Sequence, residues 1–552
     1  MNGETMTMQR LNNLHLLAWV LTLALATLGI SGAHAQNYLD LHDFDTPSLA
    51  SPQYPGILAQ GRDGNLYGTA PVGGTYGRGG VFKITPTGTY SVIYNFDGIV
   101  GANPYSGLTL GTDGNFYGTT FGGGTGGFGI VFQITPGGVV TVLHNFVLSE
   151  GAGSPYAPPI QGTDGNFYGT TTIGTGGSGY GTVYKVTPAG AFTVLYQFDN
   201  THGSTPIAPL IQAKDGNFYG TTRVGGTFGF GTAFKITPAG ALTVMYNFDS
   251  THGAEPYSPL VQGSDGNFYG MTRAGGTLNG GGVLFKLTAA KKLTVLHNFD
   301  ATGGTPDGNR PYAGLIQTSD GGFWGVTSAG GTNAAGILYE FYSNGAYSIW
   351  YNFAAATGSL PFATLRQHTN GKLYGEATTG GAAGHGTLFS FQTIFPSFIS
   401  LQSTSGLVSQ PVGILGQGLT GTSSVKFNGT TAVFNVVSDT YISTSVPSGA
   451  TTGLVKTKGT SGNRTSNQKF LVTPAVLSFK PTSGPVGTQV VITGDSFTGA
   501  TKVTFGSTQK AIFSVDSYTQ ITATVPAKAK TGKIQVTTPG GTADSPTAFT
   551  VN

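Results

Sequence analysis

One phrase recurs through most of this chain: Asp-Gly-Asn-Phe-Tyr-Gly, met at 265–270 and in near-copies beginning at Asp63, Asp113, Asp164, Asp215, Asp320 and Asn370. The seven copies stand 50, 51, 51, 50, 55 and 50 residues apart. A fixed period of this length means that each period is one supersecondary unit. It cannot bury its apolar face alone and must stack on its neighbours. One period shows the unit. Pro259 to Gly263 reads as a short apolar strand, Ser264 to Asn267 as a tight turn in which Asp-Gly tolerates positive φ, and Phe268 to Thr272 as a second strand. The Gly-rich loop Ala274 to Gly282 leads to a third strand, Val283 to Thr288, and a short turn to a fourth, Leu293 to Phe299. Four antiparallel strands in about 50 residues is the content of a β-propeller blade.

Counting strand types sharpens the expectation. The third-strand aromatic occurs seven times, at Phe82, Phe132, Tyr184, Phe234, Phe285, Tyr339 and Phe389. The fourth strand ends at Phe96, Phe146, Phe198, Phe248, Phe299 and Phe353, and its remaining copy, Leu41-His42-Asp43-Phe44, precedes the first full period. The last period, ending near Phe391, has no fourth strand of its own. The segment from Tyr38 to Phe44 is therefore expected to complete it and close a ring, which removes exposed sheet edges. For residues 36–395 the expectation is a closed seven-bladed β-propeller. Composition agrees: 91 Gly come with 11% aromatics, and no helical periodicity survives past residue 35, so the chain reads as all-β. There are no cysteines, so no disulfide supports the fold.

Residues 1–35 have the form of a secretory signal peptide: Arg10, an apolar run from Leu14 to Ile30, and Ala33-His34-Ala35 before Gln36. The mature chain is expected to be secreted, extracellular or at the cell surface, with the periplasm as an alternative. No later run is long and apolar enough to span a bilayer, so no transmembrane segment is expected in it. After residue 395 the period stops. Short alternating strands with turn signals over 396–473 and again over 474–552 read as two Ig-like β-sandwich domains. The formal net charge of +3 is small for 552 residues and argues against a nucleic-acid partner. Lys and Arg outnumber Asp and Glu by 11 to 4 in residues 396–552, but without a dense cluster this reads as a solvated surface.

At these residues the chain resembles known families. The second tail segment resembles an IPT/TIG domain in its Pro481-Thr482-Ser483-Gly484-Pro485-Val486-Gly487 start, its Ile492-Thr493-Gly494 and Phe497, its Val503-Thr504-Phe505-Gly506 strand and its Val525-Pro526 strand end. The first segment is a looser copy, with Gln402-Ser403-Thr404-Ser405-Gly406 at the start and Val446-Pro447 at the strand end. The resemblance implies extracellular spacer or interaction modules. Residues from about 50 to 395 resemble the GloVer-type tandem repeats of exported bacterial proteins, with the core Gly165-Asn166-Phe167-Tyr168-Gly169-Thr170-Thr171. Neither resemblance implies an enzymatic activity or a cofactor.

The repeated Asp63, Asp113, Asp164, Asp215, Asp265 and Asp320 could suggest calcium, but a ring holds them one per blade, and Asp suits this turn by bonding its own backbone. His144 and His297 stand where other copies carry Tyr94, Tyr196, Tyr246 and Tyr351. His202, His252 and His385 are scattered in loops, so no metal is expected. In an up-and-down blade the loops after the second and fourth strands leave on one face. There the copies differ most: Tyr76, Arg78, Phe128, Tyr180, Phe228, Phe230, Asn279 and His385. Variable loops on a rigid scaffold are where binding lives, and aromatic rings beside small polar groups suit sugar faces. The plainer reading is that these rings cap the blades. The functional expectation is an exported non-catalytic binding or adhesion protein whose loop face takes a polysaccharide or cell-surface glycan. The alternative is a polysaccharide-active hydrolase or lyase using unrepeated acids, Glu340, Glu376, Glu150 or Glu255. Such an enzyme needs two carboxylates facing one bond, and the sequence brings no pair together.

Overall fold

A computed structural model describes residues 37–552 except 47, 53–56, 175–178, 303–305, 319 and 507, so the segment read as a signal peptide lies outside the described residues. The fold is all-β. The described residues form strands and short 3-10 turns, and no helix among them is long and apolar enough to cross a membrane.

Among the described residues, seven four-stranded antiparallel sheets occupy the repeat region. In the fifth, Phe268–Thr272 pairs with Val261–Gln262 on one side and with Val283–Leu287 on the other, and the latter pairs with Leu293–Asn298. The first strand of the sheet is two residues long, shorter than the run from Pro259 to Gly263. Pro259 has no N–H to give, and the Gly263 N–H donates instead to the Asn267 carbonyl across the turn (2.9 Å). The turn Asp is structural. Asp265 Oδ1 accepts the Asn267 N–H (3.1 Å), and its Oδ2 accepts the Tyr269 hydroxyl (2.8 Å). The Gly of the second strand is steric. A Cβ on Gly270 would stand 2.8 Å from Phe285 Cζ, so the third-strand aromatic packs directly over it.

Each sheet packs on the next. Tyr117, Phe146, Phe167 and Tyr184 form one such seam, and Tyr168, Phe198, Phe218 and Phe234 the following one. The first and last sheets share a seam of the same kind, in which Tyr374 and Leu388 meet Phe44, Leu66 and Phe82. Tyr38–Asp43 pairs antiparallel with Thr387–Phe391 and supplies the last sheet's fourth strand. A side-chain latch repeats the pattern. Gln161, Gln212, Gln262 and Gln317 each accept, through Oε1, a backbone N–H from the preceding sheet's turn, at Thr112, Thr163, Lys214 and Ser264 (2.8–3.0 Å). Gln60 makes the equivalent bond with Thr369, joining the last sheet to the first (3.1 Å).

Two β-sandwiches follow, with separate cores around Ile414, Val425 and Phe470 and around Ile492, Phe505 and Phe549. They share a topology. In each, a two-residue strand pairs in parallel with the last strand, Ser405–Gly406 with Leu471–Val472 and Ser483–Gly484 with Thr550–Val551. The first sandwich sits against the Asp-Gly-Asn turns. Arg62 lies over the Tyr441 ring at 4.5 Å, its Nε donates to Gln402 Oε1 (3.1 Å) and its carbonyl accepts the Thr440 hydroxyl (2.6 Å).

Candidate functional site

The loops after the second strands leave on the face away from those turns, and two devices hold them. The Asn that ends five of the fourth strands clamps the loop base: Asn95, Asn145, Asn247, Asn298 and Asn352 accept the N–H of Thr75, Thr125, Thr227, Thr277 and Thr332 (2.9–3.1 Å). Asp43 does the same for Ala382 in the sheet it completes (2.9 Å). The second device is a staple between neighbouring sheets. Ser51, Asn103, Ser154, Thr205, Glu255, Arg310 and Leu360, each followed by Pro, have φ of 51–57°. Left-handed backbone at a side-chain-bearing residue costs about 1–2 kcal/mol. It is held because each N–H donates to a carbonyl in the preceding sheet's loop, at His385, Arg78, Phe128, Tyr180, Phe230, Gly281 and Ala335 in turn (2.7–3.2 Å).

Five of the eight residues singled out from sequence, Arg78, Phe128, Tyr180, Phe230 and His385, thus occupy one register, with their carbonyls fixed by the staple. Tyr76 and Phe228 stand at loop tips, 59% and 57% exposed. The structure spreads the eight over six loops. Tyr180 and Phe230 are also exposed, as is Arg78. Phe128 departs from the expectation. It is half-buried and packs into the seam with Tyr117, Phe167 and Tyr184, because Gly153 opposite leaves room for its ring. Asn279 also supports its own loop, since it takes left-handed backbone (φ 52°) and its Nδ2 donates to Asp300 Oδ1 (2.9 Å).

A second cluster on this face was not singled out from sequence. The residue after each staple proline is aromatic in five sheets: Tyr105, Tyr156, Tyr257, Tyr312 and Phe362. In three sheets the residue after the second strand reaches the aromatic of the next sheet. Phe121 meets Tyr156 edge-on (5.0 Å), Arg223 lies over Tyr257 (5.8 Å) with Nη1 donating to its hydroxyl (3.2 Å), and Arg273 lies over Tyr312 (5.5 Å). Tyr105 stacks on Tyr156 (5.3 Å), and Tyr312 meets Tyr257 and Phe362 edge-on (4.8 Å each). Burial first, then the Tyr105 and Tyr257 hydroxyls, pushes Tyr156 above the ordinary phenol range, and Arg223 pulls it partly back. Tyr156 is thus within electrostatic reach of groups one and two sheets on. Side chains at one register of a ring converge in this way only near its axis. The signal existed in the sequence as Pro-Tyr recurring in four of the seven periods, with Pro-Phe in a fifth. Recurrence alone reads as packing, and the contacts between periods have no signature in it.

The unrepeated acids do not assemble. Glu376 is buried between the last and first sheets, and Glu340 accepts the Tyr342 hydroxyl (2.9 Å) and Trp350 Nε1 (3.1 Å) in a buried pocket of the sixth. Glu150 pairs with His144 (3.0 Å) and Glu255 with Arg273 (2.5 Å). His144 and His297 stack on Phe192 (3.9 Å) and Tyr347 (4.4 Å), the packing role expected of Tyr at that site. Among the described residues no group of three or more His, Asp or Glu is placed to hold a metal ion.

The geometry defines a ring of four-stranded repeats carrying Ig-like modules. The Gloeobacter/Verrucomicrobia repeat matches residues 109–307 and 258–432, more than half of the chain, and the chain belongs to that family. An IPT/TIG domain matches residues 474–551. No curated protein matches the chain. Among solved structures, the surface glycan-binding protein PbSGBP-B of Prevotella bryantii is similar at 21% identity over 28% of this chain and 39% of its own, with a TM-score of 0.21. This chain therefore spans well under half of that protein. A fungal alcohol oxidase of the AA5 family, in complex with copper, is similar at 15% identity over 79% of this chain and 98% of its own (TM-score 0.46). PorZ, a surface component of the type-IX secretion system of Porphyromonas gingivalis, is similar at 14% identity over 78% and 60% (TM-score 0.41).

Proposed function

We propose that this chain is an exported, non-catalytic binding protein of the cell surface. Its seven sheets act as the blades of a closed propeller, residues 396–473 and 474–552 as a two-domain spacer, and the loop face as the part that takes a polysaccharide or surface glycan. One observation carries the reading: the first Ig-like domain docks on the Asp-Gly-Asn turns, so the opposite face, with its clamped loops and exposed Tyr76, Tyr180, Phe228 and Phe230, is presented outward. Preorganised loops bearing exposed aromatic rings bind without a large ordering cost. The burial of Glu340 and Glu376, at 6% and 2% exposure, argues against the hydrolase or lyase alternative, because a glycosidase must bring both carboxylates to one bond.

A glycan array with the chain from Gln36 onward tests this. Binding to a defined glycan is expected, and the double substitution Tyr76→Ala, Phe228→Ala should weaken it at least about fivefold with unchanged circular dichroism, since each stacked ring is worth about 0.5–1.5 kcal/mol. No binding to any glycan would defeat the reading. Release of shortened products from a polysaccharide, abolished by Glu340→Gln, would establish the enzyme instead.

A further inference from the structure

The loop face holds two arginines in matched positions with unlike surroundings. Arg223 and Arg273 each follow a second strand, and each donates its backbone N–H to the left-handed residue of its own sheet, Thr205 and Glu255 respectively (3.2 and 3.0 Å). Glu255 neutralises Arg273 at 2.5 Å. Thr205 offers Arg223 no charge, and Arg223 forms no ion pair among the described residues. Its Nη1 holds the Tyr257 hydroxyl, and its Nε is buried with no hydrogen-bond partner there. Arg223 is half-buried, and a guanidinium partly withdrawn from water is stabilised by a carboxylate that accepts from its planar fork, which this site lacks among the described residues. Tyr156 lies within electrostatic reach of Arg223 and stacks on Tyr105.

We propose that the axial mouth of the loop face is a subsite for an acidic sugar, a hexuronate unit of a polysaccharide, with the sugar ring against Tyr156 or Tyr257 and its carboxylate on Arg223. This deepens the glycan-binding reading and rests on it. Tyrosine faces supply the apolar surface that the CH side of a pyranose needs, and Arg223 supplies the charge that separates an acidic from a neutral sugar. No bond is made or broken, so no co-reactant is required.

The experiment is calorimetric titration of the chain from Gln36 with tetragalacturonate and with its fully methyl-esterified form, which keeps the sugar faces and removes the charge. The acid is expected to bind at least about tenfold more tightly than the ester, the scale of one charge-assisted pair. Arg223→Met should remove that preference. Thr205→Glu should remove it too, by supplying Arg223 with the internal carboxylate that Arg273 already has, at a register where Glu is tolerated natively. Tyr156→Ala should weaken both forms alike. Equal affinity of the native chain for acid and ester, or a preference surviving in both charge variants, overturns the subsite. Binding confined to neutral glycans also overturns the subsite and leaves the binding reading standing, whereas no glycan binding at all defeats both.

Discussion

At the scale of single residues, Glu376 shows what a departure from the repeat can and cannot reveal. It occupies the second-strand position held elsewhere by Thr69, Thr119, Thr170 and Thr221. Their hydroxyls bond to the next sheet's backbone, as Thr119 does to the Ala157 carbonyl (3.0 Å). Both Glu376 oxygens are buried without a partner among the described residues, and burial raises the carboxyl from its ordinary 4.5 to about 8. A folded-state value above the unfolded one means that the group's contribution is fully present below about pH 4.5. It is lost progressively as pH rises through 8, because the unfolded chain releases a proton that the folded chain keeps. Each pH unit in that window removes about 1.4 kcal/mol, or roughly 3 kcal/mol by neutrality. Glu376→Thr should therefore raise the melting temperature by several degrees at pH 7–8 and leave it unchanged below about pH 4.5. A pH-independent difference would show that this carboxyl is not held in a dry seam. The oddity of Glu376 was visible in the sequence. Its fate was not, because a lone acid in a strand reads equally as a catalyst and as a neutralised core group until its surroundings are known.

At the scale of the repeated element, the hairpin was legible because it is local. Asp, Gly, Asn and Tyr lie within five residues, and the turn they build bonds to itself. The Gln latch and the left-handed staple were not, since each joins neighbouring periods, and periodicity states that a residue recurs without stating which copy it faces. The latch makes its own prediction. Gln262 Oε1 accepts the Lys214 N–H (3.0 Å) while its Nε2 donates to the Gly266 carbonyl (3.1 Å), so one side chain ties its own turn to the preceding sheet. Gln262→Leu keeps the volume and removes both bonds, at a cost of about 1–3 kcal/mol. Hydrogen exchange should accelerate at the Lys214 amide by about tenfold or more, with the Asp265 turn affected and distant sheets unchanged. Unaltered protection at Lys214 would show that the apolar seam alone sets the spacing of neighbouring sheets. The loop-face residues divide by the same logic. Tyr76 and Phe228 stand out in the sequence because they vary, whereas the Tyr105, Tyr156 and Tyr257 cluster is hidden in it because it repeats.

At the scale of the whole molecule, the junction between ring and tail decides which face is presented. Arg62 belongs to the first sheet's Asp-Gly-Asn turn, yet its side chain serves two partners. Nη2 and Nη1 donate to the Thr112 and Asp113 carbonyls of the next turn (2.6 and 3.2 Å), and Nε donates to Gln402 of the first Ig-like domain (3.1 Å) while the guanidinium covers Tyr441. Gln402 Nε2 returns a bond to the Gly111 carbonyl (3.1 Å), and Gln417 Nε2 reaches the Thr369 hydroxyl on the far side of the closure (3.3 Å). Bonds to three separate turns resist tilting in a way that one linker strand cannot. Arg62→Ala removes the central contact and the cation–π attraction, together worth about 1–3 kcal/mol, without touching the loop face. The expected result is a longer maximum dimension in small-angle scattering and faster proteolysis between Thr393 and Phe398, with glycan affinity unchanged. An unaltered scattering profile would mean that the remaining contacts fix the domain by themselves. A drop in glycan affinity with folding intact would place the binding surface on the turn face, and the outward direction argued for the loops would then be reversed.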